Sequence, residues 1–150
     1  MSQIPEHLIG TETEPFLVEV EKGAIAKFAE AIGDLSPLYL DEAFARTTPH
    51  GGLIAPPTFP ITFRPPEEPE WARGLDYRRI LHGSQEFEYH RPIRSGERLW
   101  CTMRLAAVET KSGRTGKMDL ITRELRGADA SGNPVFVGRG VIVYRYPAEA

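Results

Sequence analysis

Phe28–Asp41, FAEAIGDLSPLYLD, is the stretch on which the rest of the chain is organised. It begins inside an amphipathic pattern. From Lys22 to Ile32, residues Ala24, Ile25, Phe28, Ala31 and Ile32 recur at helical spacing on one face. That spacing predicts a helix whose apolar stripe faces a core. Gly33 stands where such a helix must stop, because a residue without Cβ accepts the left-handed conformation that closes a last turn. Ser36-Pro37 then starts a second, short helix, with serine as N-cap and proline at the first helical position. Leu38, Leu40 and Phe44 are the expected buried face of that second helix.

Outward from this segment the pattern changes. Upstream, Phe16–Val20 alternates apolar and polar residues and reads as a strand. Downstream, TTPHGGLIAPPTFPITFRPP (residues 47–66) carries repeated prolines and the Gly51-Gly52 pair. Its prolines allow only a loop followed by a short apolar helix over Thr58–Phe63. Residues 67–76 read as an exposed connection that Trp71 pins down. From there the periodicity is that of strands: Ser84–His90, Arg98–Val108, Lys117–Leu125 and Val135–Tyr146. Turn-forming residues separate them at 94–97, 112–116 and 129–133. One strand, helices, then four hairpin-linked strands describe an α+β domain with an antiparallel sheet. The apolar cover for the sheet is Lys22–Ile32 together with Thr58–Phe63, so the sheet is expected to wrap on helix.

The bulk properties bound the possibilities. At 150 residues the chain fits one domain, 1–150, long enough for a proper core. No apolar run approaches the ~18 residues of a membrane span, and the N-terminal MSQIPEHLIGTETE lacks the pattern of a secretory signal. A lone cysteine, Cys101, excludes an internal disulfide and fits a reducing cytoplasm. No Cys/His spacing suits zinc, so no metal is expected. The net charge of −3 divides into −7 for residues 1–45 and +4 for the remainder. The basic excess is largely arginine, whose planar fork suits phosphate. The acidic first third and the interspersed acids argue against nucleic acid.

Three segments resemble the MaoC-like, (R)-specific enoyl-CoA hydratase family: FAEAIGDLSPLYLDEAFA, HGGLIAPPTF and FEYHRPIRSGERLWC. The likeness is to its N-terminal-type dehydratase subfamily, which includes mycobacterial (3R)-hydroxyacyl-carrier-protein dehydratase subunits. The family motif reads Gly-Asp-x-Asn-Pro-x-His. Here Gly33, Asp34 and Pro37 match, Ser36 replaces asparagine, and Tyr39 stands at the histidine. The resemblance implies a single hot-dog domain, an antiparallel sheet wrapped around a central helix. It implies hydration of an enoyl thioester, or dehydration of a 3-hydroxyacyl thioester, with no cofactor beyond the coenzyme A or acyl-carrier-protein substrate. It also implies pairing with a second hot-dog domain as a homodimer or heterodimer.

Carried onto this sequence, the acid/base pair is degenerate. Asp34 remains, while Tyr39, with an ordinary pKa of ~10, is a poor base but a good pocket wall or hydrogen-bond donor. His50, before the glycine pair, is a candidate substitute imidazole. The resemblance places the thioester against Gly51, Gly52, Leu53 and Ala55, with backbone N–H groups polarising the carbonyl. Thr58 is either a helix cap or a ligand contact, and Arg91 and Arg94 are candidate contacts to the carrier's phosphate. His82 and His90 read as surface or edge residues, the Arg78-Arg79 pair as surface cations, and Cys101 as core. Three functions follow: a dehydratase subunit whose partner supplies the missing pair, a non-catalytic thioester-binding module, and a thioesterase. The last needs a carboxylate on Thr58–Phe63, which that segment does not contain.

Overall fold

The computed structural model describes residues 2–148. Its elements run β1 (Phe16–Glu19), α1 (Lys22–Ile32), α2 (Pro37–Leu40), α3 (Glu42–Arg46), β2 (Ile80–Tyr89), β3 (Arg98–Gly113), β4 (Gly116–Ala128) and β5 (Pro134–Arg145). The strands form one antiparallel sheet in the order β1-β3-β4-β5-β2. Only β3, β4 and β5 are joined by hairpins. The expectation of four hairpin-linked strands is therefore corrected: β2 crosses the sheet and pairs with β5, Phe87 opposite Gly138 and Tyr89 opposite Phe136. Long-range pairing of this kind leaves no trace in the local pattern, which sees only turn residues after Tyr89.

α1 spans the residues that its periodicity marks, and Gly33 ends it at φ 71°, its N–H donating to Ala29 and Glu30 carbonyls. Its buried face is narrower than the stripe suggests. Ile25 and Ala29 are buried and Phe28 is partly so, but Ala24, Ala31 and Ile32 face outward. Ser36 caps α2 by accepting from the Leu38 N–H, and Asp41 caps α3 by accepting from the Phe44 N–H. Because α2 is a single turn, the residue that turns inward is Tyr39, not Leu40 or Phe44, which are exposed; Ala45 is buried in α3.

The largest departure lies under the sheet. Thr58–Phe63 is no α-helix. It holds one 3-10 turn, Phe59–Thr62, in a proline-rich strap. Thr58 precedes that turn without capping it and is exposed. The strap packs directly on the concave sheet face, and α1 lies behind it. A run of ring contacts records this layering: Phe28–Phe59 and Phe59–Phe63 at 5.5 Å, Phe63–Phe136 at 5.9 Å and Phe136–Tyr89 at 6.0 Å. Trp71 is buried, as expected of an anchor. Among the described residues no helix is long and apolar enough to cross a membrane, and no group of His, Cys, Asp and Glu is placed to hold a metal.

Candidate functional site

Asp34 follows the αL turn that closes α1, and its N–H donates to Ala29 O at 3.0 Å. One carboxylate oxygen accepts a long bond from the Ser36 N–H, 3.3 Å. The side chain is otherwise exposed and stands beside Tyr39. Tyr39 is 8% exposed. Burial, and then the negative charge of Asp34, push its phenol above the ordinary value. The Tyr39 hydroxyl therefore stays protonated and is a donor, and it has no hydrogen-bond partner among the described residues.

His50 occupies the turn Thr48–Gly51, which the Gly51 N–H closes onto Thr48 O at 3.0 Å with Gly51 at φ 70°. Its backbone N–H donates to Thr48 Oγ1. No hydrogen bond, ion pair or electrostatic contact joins its imidazole to Asp34 or Tyr39 among the described residues. The structure thus brings Asp34 and Tyr39 together and leaves His50 on the neighbouring turn.

The Gly51–Ala55 segment is held from both sides. Ile54 N–H donates to Leu38 O at 3.1 Å and Ala55 N–H to Ile93 O at 2.8 Å, while Ser95 N–H donates to Leu53 O at 3.0 Å. Leu53 and Ala55 are buried. With the Gly51 N–H bonded to Thr48 O, three of the five amides of the segment are thus committed to the fold, and those of Gly52 and Leu53 are left without a backbone partner among the described residues. Arg91 is also committed: its guanidinium meets Glu97 at 2.6 Å and Asp129 at 3.7 Å. Arg94 offers its backbone N–H to Glu97 at 2.7 Å, and its side chain is exposed.

The main concavity lies elsewhere. Two adjoining cavities of ≈ 600 and ≈ 320 Å³ run along the concave sheet face, in the size range of ligand sites. They share Arg64, His82, Met103 and Arg123. Gly138 and Gly140 form part of the floor, where an added Cβ would meet Phe87 Cε1 at 2.9 Å and Gln85 Oε1 at 2.6 Å. One wall is β2, the edge strand, through Ser84, Gln85 and Phe87. None of Asp34, Tyr39 and His50 lines the groove. His82, read as a surface or edge residue, is exposed on the edge strand β2 and also lines the groove. So does Arg123, which no motif marks, although Ile121 and Leu125 two residues on either side place it on the inward face by strand alternation.

A five-stranded antiparallel sheet packed on a proline-rich strap and a helix, with a groove along its edge strand, is the hot-dog architecture. The fold is shared with a MaoC-like dehydratase. It is shared also with the ChsH1-ChsH2 complex of Mycobacterium tuberculosis (TM-score 0.73, 24% identity, covering 93% of this chain and 91% of that one). The same organism's HadBC (3R)-hydroxyacyl-ACP dehydratase complex gives a TM-score of 0.70 at 20% identity, covering 91% and 96%. The family model for the FAS1-like dehydratase domain region matches residues 7–137. A UPF0336 protein of Streptomyces coelicolor is 36% identical over 156 residues, 98% of this chain and 99% of the relative. The chain belongs to this FAS1-like dehydratase-region family.

Proposed function

We propose that the chain is one subunit of an (R)-specific enoyl-thioester hydratase, or 3-hydroxyacyl-thioester dehydratase, that works with a second hot-dog domain. The observation that carries this reading is the pairing of an exposed Asp34 with a protonated Tyr39 where no imidazole makes contact. In hydration the oxygen of water bonds to the β-carbon, its proton passes to a carboxylate, and the α-carbon takes a proton from an acid. Asp34 is suited to orient and deprotonate the water. Tyr39 is suited to donate a hydrogen bond, and the proton for the α-carbon comes from the partner's imidazole or from His50. Gly52 and Leu53 are left as amide donors for the thioester carbonyl, with Ala55 and Thr58 beside them. Arg94 is the freer of the two arginines for a carrier phosphate, because Arg91 is held by carboxylates. The coenzyme A or acyl-carrier-protein thioester is substrate, and no further cofactor is invoked.

Two features support a partner. β2 is a ten-residue edge strand bonded to β5 on one side only, and such an edge is a template for another strand. The same strand walls the groove, so a chain added there would close it. The prolines that reduce the central helix to one turn leave room for a bulky acyl group. A non-catalytic thioester-binding module is the second reading, favoured by the bond that ties Asp34 into its turn.

The test is hydration of short and bulky enoyl-CoA substrates, followed by loss of the conjugated thioester absorbance. It uses the chain with whatever hot-dog partner it carries from its own cells. Turnover is expected to favour the bulky substrates and to fall ~10²–10⁴-fold in Asp34→Ala. Turnover unchanged in that variant refutes the role of Asp34, and a well-folded complex inactive on every substrate leaves the binding module.

A further inference from the structure

Arg123 has the least ordinary environment of any cation in the molecule. It projects from β4 into the concave groove and lines both cavities. Its Nε lies 3.8 Å from where a Cβ on Gly140 would sit. Burial, and then the charge of Arg64, hold its guanidinium below the ordinary arginine range. Among the described residues it has no ion pair and no hydrogen bond. Arg64 reaches the same space from the strap, donating only to the carbonyls of Ile61 and Phe63, at 2.5 and 3.1 Å.

The acids nearby are already occupied. Glu68, at one rim, accepts the Tyr77 hydroxyl. Glu124 is paired with Arg126 at 2.7 Å and Arg139 at 3.0 Å. Glu68 keeps its charge at the rim, but neither arginine makes a salt bridge among the described residues, and Arg123, the more buried of the two, stands beside a second cation, an arrangement that a bound anion would relieve. The lining is mixed, with Ser84, Gln85, Glu68 and Tyr77 among its polar members, and it carries apolar stretches: Phe63, Phe87 and Leu125 in one cavity, Trp71 and Ile142 in the other, with Met103 in both. An anion carried on an aliphatic chain can use both features, its charge at the arginines and its chain on the apolar stretches. The guanidinium fork suits carboxylate and phosphate alike, and a carboxylate, with one charge against the nearly two of a phosphate monoester, costs less to bring beside the apolar part of the lining.

We propose that this groove binds an aliphatic chain ending in a carboxylate, whose charged end is fixed by Arg123 and Arg64. On the hydratase reading, and resting on it, the ligand would be an acyl group with a second carboxylate at its far end.

The probe is octanoate against octan-1-ol, read by Trp71 fluorescence in a Trp100→Phe background, because the chain has two tryptophans. Octanoate is expected to bind at least ~10-fold more tightly than the alcohol, the difference that a charge-assisted bidentate contact makes. That advantage should disappear in Arg123→Met and shrink in Arg64→Gln, and it should persist in Arg98→Gln on the distant β1–β3 edge. Arg64 is exposed on the strap, so its variant keeps the test valid if Arg123→Met fails to fold. Equal binding of acid and alcohol, or an advantage that survives in both variants, overturns the proposal. Displacement of octanoate by an equal concentration of inorganic phosphate overturns it too, and assigns the pair to phosphate. These probes carry no thioester, so absence of enoyl-CoA turnover strikes the hydratase reading alone. Preference for a carboxylate-ended enoyl-CoA over its methyl-ended counterpart supports the extension.

Discussion

Gly127 and Gly140 present the same inward face of adjacent strands, yet an alanine should be costly at one and tolerated at the other. At Gly127 an added Cβ would stand 2.2 Å from Phe136 Cε1, 2.8 Å from Cδ1 and 3.0 Å from Cζ. Ordinary carbon–carbon contact is ~3.5–4.0 Å, so the ring must retreat by more than ~1 Å. It has nowhere to go: Phe136 is fully buried, with Phe63 and Tyr89 rings at 5.9 and 6.0 Å. Overpacking of a filled core costs about 1–3 kcal/mol, and the closeness of this clash puts Gly127→Ala at the upper end, ~2–3 kcal/mol. At Gly140 the clash is closer to harmless. The contact is Gln85 Oε1 at 2.6 Å, the far end of a flexible side chain beside an open groove. Gly140→Ala should cost less than ~1 kcal/mol, the scale of one adjusted side chain. Urea unfolding followed by circular dichroism gives both numbers, with Gly113→Ala as the control, since nothing lies within 4 Å of its added Cβ. In thermal scans the difference between the two core variants is expected to be several degrees, at ~2–4 °C per kcal/mol for a chain of this size. Gly127→Ala as stable as the control would mean that Phe136 is not locked, and the ring stack would lose its role in fixing the strap to the sheet.

Two further outcomes follow from buried ionisable groups. Burial pushes the Cys101 thiol up to about 12, so it should resist thiol reagents at pH 8 in the native state and react on unfolding; rapid native labelling contradicts its place in the core. Asp119 is buried, which pushes its carboxyl up, but hydroxyl bonds from Ser2, Thr110 and Tyr146, each 2.6 Å, outweigh this and hold it below the ordinary range. A depressed carboxyl stabilises the fold above the unfolded-state pKa of ~3.9 and loses that contribution as pH falls through the folded value. Asp119→Asn should therefore cost ~1–3 kcal/mol at pH 7 and flatten the acid side of the stability–pH curve, as denaturant midpoints from pH 7 to 2 would record. An unchanged acid limb removes Asp119 from the account.

The helix α1 was legible because a strong apolar stripe met a glycine stop, both local signals. That Tyr39 turns inward while Leu40 and Phe44 stay exposed was not legible. In a one-turn helix the Ser36 cap and Pro37 set which residue points inward, and a stripe of two or three residues cannot tell them apart. The crossover of β2 was hidden because partner choice depends on β5, some fifty residues away. Arg123 was hidden for a different reason. Alternation with Ile121 and Leu125 places it inside, yet an arginine in a strand invites a surface reading unless periodicity is allowed to override polarity.

The prolines of residues 47–66 connect these observations. An α-helix with side chains is ~10–12 Å across and would fill the hollow of a curved sheet. Pro60 and Pro65 deny this segment an α-helical interior, and what forms is one 3-10 turn carrying Phe59 and Phe63. Two rings then do the packing of a helix, Phe59 against Phe28 and Phe63 against Phe136. The remainder stays open as the groove over Gly138 and Gly140, where side chains would otherwise rise from the floor. An open hollow in a protein interior is stable only if its lining tolerates water or a ligand. Arg123 and Arg64 supply the polar partners that permit the first and invite the second. The same substitution of proline strap for helix therefore accounts for the cavity, for the unpaired cations within it, and for the dependence of the groove's wall on the free edge of β2.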